Sequence, residues 1–280
     1  MNLLSAARYL QGDQPNPKAS SFSALLIIIT VFASLSGCAL DYELHPDTEG
    51  ERVTMTIKVS EGLVPLPMAV GYLSTICENV YEGPDVFGSI REQRVAFKRR
   101  GAGDFYDADF AVDGGGMCRW RVAYVKFGVR PQWPERIGEG AVVGTGGDVL
   151  VVFQHNNPDF PSEGVKNVVG THLDIKNNYY PWLKDVLKKD YVKRLNLVGE
   201  AVPYQTYLAP QVRNINAEAV LHAKYVVTSK QPEYKGIGIH PAFIYPDGTS
   251  GPADSDTPDF PTLEAIRLKA EANRWGYQTT

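Results

Sequence analysis

Asp113-Gly-Gly-Gly-Met-Cys-Arg-Trp-Arg-Val-Ala-Tyr-Val-Lys-Phe-Gly-Val129 is the stretch whose reading decides the fold. From Met117 onward it alternates. Cys118, Trp120, Val122, Tyr124, Lys126 and Gly128 fall on one side, and Arg119, Arg121, Ala123, Val125, Phe127 and Val129 on the other. Aromatic and β-branched residues throughout make this the strongest strand signal in the chain. Just before it, Phe105, Asp107, Asp109 and Ala111 alternate with Tyr106, Ala108, Phe110 and Val112. One side is apolar and the other partly acidic, as in a sheet with one open face. Three glycines lie between the two runs. They supply the positive φ that a tight turn needs, so the runs are expected to form a hairpin. A phosphate cradle of backbone N–H groups is the other use of such a loop, and the turn is favoured.

Working outward, Val53, Met55, Ile57 and Val59 alternate with polar residues and predict a half-buried strand. Met68 to Val80 reads as a strand or a short helix. Asp148 to Gln154, Val165 to Ile175, Tyr204 to Leu208 and Ala219 to Thr228 read as strands. In Pro181 to Lys193, Trp182, Leu183, Val186 and Leu187 recur at helical spacing, which predicts a helix. A second helix is expected over Thr262 to Trp275, with Thr262 as cap and Leu263, Ile266 and Ala270 as its apolar stripe. The expected fold class is α+β: mainly antiparallel β-sheet with a few helices, including a C-terminal helix.

Upstream, an uncharged run ends in Leu35-Ser-Gly-Cys38. Its strongly apolar part, Ala24 to Ala33, is too short to span a bilayer and fits the h-region of a signal peptide. The ending resembles the lipobox of bacterial lipoproteins. The resemblance implies a signal peptide over 1–37 and a diacylglycerol on Cys38. The polar, Pro-containing stretch after the cysteine reads as a tether over 38–52, followed by a periplasm-facing β-rich domain over 53–280, in which Gly199 and Pro203 allow a subdomain break near 199–203. An uncleaved anchor helix or a buried core helix is the other reading of the apolar run. Ala39 follows the cysteine where members kept at the inner membrane often carry Asp, which favours the outer membrane. The expected partners are therefore the lipid bilayer, through acylated Cys38, and one protein.

The chain has 280 residues, a net charge of -4 and three cysteines. With no basic stripe beyond Lys98-Arg99-Arg100, nucleic acid is not an expected partner. In an oxidising compartment, Cys77 and Cys118 most simply form a disulfide, closing a loop worth roughly 4 kcal/mol in the chain-entropy model. Two buried free thiols are the alternative. Neither cysteine has a second Cys or His at ligand spacing, so no metal site and no cofactor are expected.

Catalytic signatures fail one by one. There is no Gly-x-Ser-x-Gly elbow, no P-loop, no Gly-x-Gly-x-x-Gly opening a helix and no His-Glu-x-x-His. His172-Leu-Asp174 would project two polar side chains to one strand face, with His155 or Asp159 as a third group. A solvated strand face is the favoured reading of that pair, and a satisfied core histidine that of His222.

Leu35-Ser-Gly-Cys38, Cys77, and Asp113-Gly-Gly-Gly-Met-Cys-Arg-Trp120 leading to Lys126-Phe-Gly-Val129 together resemble a group of small lipoproteins of type VI secretion clusters. These are immunity partners of lipase effectors. The resemblance implies a lipoprotein that binds an incoming toxic phospholipase and blocks it, with no catalytic residues of its own. Tyr106, Asp107, Asp109, Trp133, Asp159 and Phe160, with Tyr179 and Tyr180, are the expected contact residues, on loops for the most part. A periplasmic hydrolase using His172, Asp174 or His155, and a structural lipoprotein of an envelope machine, are the competing functions.

Overall fold

Alternation builds nearly everything described. The structure, a computed structural model, describes residues 41–80, 86–153, 164–187, 191–201, 204–230, 240–251 and 256–274. Strands are numbered in chain order. An eight-stranded sheet contains β2 (Leu63–Pro65), β3 (Met68–Val80), β4 (Val86–Val95), β7 (Asp113–Gly115), β8 (Trp120–Pro131), β10 (Gly147–Val152), β11 (Lys166–Asn167) and β14 (Tyr204–Leu208). Its order is β11-β14-β10-β8-β3-β4, with β2 and β7 also on β8.

A ten-stranded sheet contains β1 (Arg52–Val59), β5 (Lys98–Arg99), β6 (Phe105–Ala111), β9 (Ala141–Val143), β12 (His172–Leu187) and β13 (Tyr191–Val198). With them are β15 (Asn214–Leu221), β16 (Val227–Lys230), β17 (Ala242–Ile244) and β18 (Ser250–Gly251). Its order is β18-β17-β16-β12-β15-β1-β6-β5, with β13 on β12 and β9 on β13. The fold is mostly β-sheet with one α-helix among the described residues.

Antiparallel pairings are the more numerous, as expected, but both sheets are mixed. Strand β15 runs parallel to β1 and to β12, and β14 runs parallel to β10 and β11. Parallel neighbours need a long crossover. Here the chain supplies it by visiting the other sheet, as when it passes through β14 between β13 and β15.

The two sheets share one core. From β1, Val53, Met55, Ile57 and Val59 are all buried, in the register that alternation predicts. They meet Val125, Phe127 and Val129 of β8, Val149 and Val151 of β10, and Ile215 and Ala217 of β15. On β8 the core-facing positions change parity: Trp120 and Val122 face the core, and so do Val125, Phe127 and Val129. The cause is an irregularity in pairing with β3, where Gly71 lies opposite Tyr124 but Tyr72 lies opposite Val122. Ala123 is the extra residue, and one extra residue flips every later side chain to the other face.

The expected hairpin does not form. Strand β6 pairs with β1 and β5, whereas β8 lies in the other sheet, so the chain changes sheets at Val112. The glycines make a smaller turn between β7 and β8, with Gly115 and Gly116 at φ +63° and +71°. A Cβ on Gly115 would lie 2.1 Å from the carbonyl oxygen of His45, so this glycine also admits the N-terminal segment. That segment belongs to the stretch expected as a tether. From Leu44, which packs against the core, it is laid on the domain, and the His45 N–H donates to the Gly114 carbonyl at 2.8 Å.

Cys77 and Cys118 form a disulfide, with Cα atoms 5.3 Å apart. A buried hydroxyl prepares it. Ser74 Oγ accepts from the N–H groups of Ile76 and Cys77 and donates to the Cys118 carbonyl at 2.6 Å. The β3–β4 pairing shifts register between Ser74 and Glu78, which turns Cys77 toward its partner.

The helix expected over Pro181 to Lys193 is replaced by the end of β12 and the start of β13. Pro181 is tolerated because β12 changes neighbours there: pairing with β15 ends at Tyr179 and pairing with β16 begins at Trp182. Tyr179 and Tyr180, expected at a surface loop, are buried in this strand. They point to different cores. Tyr179 joins the shared core, and Tyr180 and Trp182 join a second cluster with Val198, Val227, Phe243 and Leu263. Helix α1 (Phe260–Arg274) closes the second cluster through Leu263. Asp259, not Thr262, caps it, accepting from the Thr262 N–H and hydroxyl at 2.9 and 2.6 Å. Of the expected stripe only Leu263 is fully buried, and Ala270 is exposed.

Candidate functional site

The outward positions of β6, β1, β15 and β12 make one continuous polar face. Register sets it out in rows. His172, Asn214, Thr54 and Asp109 stand abreast, then Asp174, Asn216, Thr56 and Asp107, then Lys176, Glu218, Lys58 and Phe105. Each row follows from period-2 alternation: the inward partners of these residues fill the core, so these must face outward. A shallow open depression of about 470 Å³ runs across the lower two rows, lined by Thr56, Lys58, Phe105, Asp174, Asn216 and Glu218 among others.

Cross-strand bonds hold these side chains in place. Thr54 Oγ1 donates to Asn214 Oδ1 at 2.8 Å, and Thr56 Oγ1 donates to Asp107 Oδ1 at 2.8 Å. Asn216 Nδ2 donates to Asp174 Oδ1 at 2.9 Å, and Lys58 Nζ donates to Glu218 Oε1 at 3.0 Å. Arg52 pairs with Asp109, and Arg100 pairs with Asp107 from the strand edge. The Arg100 hydrogen bond holds the Asp107 carboxyl below its ordinary range, and Lys58 does the same for Glu218. Asp174 differs: its partner is a neutral amide, and among the described residues no cation pairs with it. Phe105, 40% exposed at the end of the third row, is the face's large apolar group, with Arg100 6.0 Å from its ring centroid.

Of the residues expected from sequence, Asp107, Asp109, His172 and Asp174 come together on this face, on strands and not on loops. Tyr106 does not: its side chain packs against the shared core, with Arg99 5.9 Å from its ring centroid. Trp133 lies on the β8–β9 connection, where the Arg136 guanidinium stacks 4.2 Å from its ring centroid. Cys38, His155, Asp159 and Phe160 lie outside the described residues.

The His172–Asp174 pair shares a face without sharing a bond. His172 Nδ1 is 3.0 Å from Thr171 Oγ1, and Asp174 is engaged by Asn216. His222 sits between sheet and helix. Its Nε2 is 3.0 Å from Asn178 Oδ1, its ring stacks on Tyr180 at 5.0 Å, and burial pushes its pKa below the ordinary 6.5.

Thr54, Thr56, Lys58, Lys176, Asn214, Asn216, Glu218 and Phe105 belong to the face but were not singled out from the sequence. For β1 the signal was present as the polar half of its alternation. For β15 it was hidden, because nothing local says that this strand lies between β1 and β12. Among the described residues no group of three or more His, Cys, Asp or Glu is arranged to hold a metal ion. No described helix is long and apolar enough to cross a membrane. Comparison with protein-family models, with curated proteins and with solved structures gives no match.

Proposed function

We propose that this chain is a periplasm-facing lipoprotein, anchored at the outer membrane through acylated Cys38, that binds a toxic secreted effector of the lipase class and blocks it. The polar face of β6, β1, β15 and β12 is its binding surface. The observation that carries this reading is the ordering of that face. Its side chains are already fixed by cross-strand bonds, so a partner meets a surface with little rotamer entropy left to lose. Phe105 offers an apolar anchor, and Asp174 offers a carboxylate not yet neutralised, so a partner's Arg or Lys gains a full charge pair there. Inhibition then follows from steric occlusion and needs no chemistry from this chain.

The test uses cells. A strain lacking the gene is expected to be killed by sister cells that carry an active secretion system, and the wild-type gene restores survival. A Phe105→Ala/Asp174→Lys gene, expressed at the same level, is expected to restore it poorly. Deletion that leaves cells no more sensitive removes the reading. A co-purifying multi-subunit envelope assembly in place of one toxin would support the structural-lipoprotein alternative.

A further inference from the structure

The Cys77–Cys118 disulfide is bracketed by two large apolar side chains that are left in water. Ile76 is 53% exposed and Met117 is 60% exposed, although each adjoins a residue of the cross-link. Both are held out by built structure. Ile76 stands on the irregularity of β3 that the buried Ser74 hydroxyl organises. Met117 stands at the tip of the glycine turn, which is closed by the Arg119 N–H donating to the Gly116 carbonyl at 3.2 Å. Arg119 itself adopts φ +48°, a backbone region that a non-glycine residue enters only when its surroundings force it. A turn that accepts this strain, and presents a methionine to solvent beside a disulfide, invites a use.

The patch widens toward the N-terminal segment. Tyr42 is 39% exposed, and its carbonyl accepts from the Arg91 side chain at 3.2 Å. Only Ala39, Leu40 and Asp41 separate Tyr42 from Cys38. Four extended residue steps span at most about 14 Å, so an anchor on Cys38 is never farther than that from Tyr42.

We propose that Ile76 and Met117, with Tyr42 beside them, form a docking face for the bilayer surface that holds the lipid anchor. The inference rests on the lipoprotein reading. Covalent attachment keeps the patch within reach of the headgroup layer, so the second contact is intramolecular and weak partitioning suffices to seat it. Arg91 and Arg119, both exposed at its rim, are placed to meet lipid phosphates, and the Arg119 side chain has no acidic partner among the described residues. Docking would fix which way the polar face points, instead of letting the domain swing on its anchor.

The experiment uses the full chain purified from membranes and reconstituted in phosphatidylethanolamine–phosphatidylglycerol vesicles with brominated acyl chains. Two variants are compared: Met117→Trp in the patch, and Val169→Trp, at a residue 96% exposed close after β11, the opposite edge of the eight-stranded sheet. Both sites are exposed, so unchanged thermal midpoints confirm intact folds. The mass of the N-terminal peptide reports acylation of Cys38 in the same samples. The expected result is an acylated Cys38, with the tryptophan at 117 quenched by about twofold or more relative to that at 169. Equal quenching on an acylated chain overturns the docking and leaves the anchor standing. An unacylated Cys38 overturns both.

Discussion

One strand serves two neighbourhoods, and the contrast between them organises the molecule. On β12, His172, Asp174 and Lys176 stand open to solvent. Farther along the same strand, on positions of the same parity, Tyr180 is 0% and Trp182 is 5% exposed. In the first half the strand lies beside β15 and its outer face is polar and uncovered. In the second half it lies between β13 and β16, and helix α1 covers the cluster that this face enters. Alternation tells which side chains share a face. Residue chemistry tells whether that face will be covered: polar groups that satisfy one another across strands need no cover, whereas Tyr180 and Trp182 demand it.

The largest effects should fall on the covered half. Trp182 packs edge-on against Phe243 and donates to Ser229 Oγ at 2.8 Å. Trp182→Ala should cost about 3–5 kcal/mol in chemical denaturation, because it opens a cavity and strands a buried hydroxyl. A loss below about 1 kcal/mol would erase the contrast. Next comes the polar clamp on the helix. Arg267 Nε donates to the Tyr180 hydroxyl at 2.9 Å, and Tyr180 donates to Glu264 Oε1 at 2.7 Å. Arg267→Ala leaves two half-buried oxygens short of a donor and should cost about 1–3 kcal/mol. It should also speed hydrogen exchange in α1 more than in β1, and equal acceleration in both would contradict a local clamp.

Acid reaches the covered half first. Burial depresses the His222 pKa, so below its ordinary 6.5 the unfolded chain binds a proton that the folded chain resists. Stability on this account is full above that pH and falls as pH drops toward the depressed folded value. On the open half the depressed groups are Asp107 and Glu218, with ordinary values of 3.8 and 4.5. Their contribution persists until pH falls through those values and below, and exposed pairs of this kind are worth only about 0.2–1 kcal/mol. His222→Gln should therefore remove the loss of stability that sets in as pH falls below 6.5, while the loss that sets in at 4.5 and below remains. A profile altered only below pH 4.5 would reverse that assignment. The smallest stability effect belongs to Thr56→Ala, which removes a half-buried hydrogen bond to Asp107 and a longer one from Arg100, and should stay within about 1 kcal/mol.

Legibility from sequence follows the same division. Strand β1 could be read to the residue, since four apolar side chains at strict period 2 admit one face only. The same logic stopped at Ala123, because the irregularity that flips β8 arises from pairing with β3, not from anything within β8. Trp182, Leu183, Val186 and Leu187 satisfy a helical stripe by spacing alone, and only pairing with the neighbours β13 and β16 makes the stretch a strand. The site was half legible. Asp107, Asp109, His172 and Asp174 were visible as polar residues on alternating strands. Their assembly depends on β15 lying parallel between β1 and β12, a pairing over more than 150 residues that no local pattern carries.

Under the proposed function, the open half is the surface on which a secreted effector docks. Survival of a gene-deleted strain in competition with armed sister cells tests this most directly, after complementation with the wild-type gene or with Phe105→Ala/Asp174→Lys. The account predicts rescue by the wild-type gene, and survival about tenfold lower or worse with the double variant at equal expression and equal thermal midpoint. Full rescue by the double variant, or a deletion strain that survives as well as its parent, would contradict it.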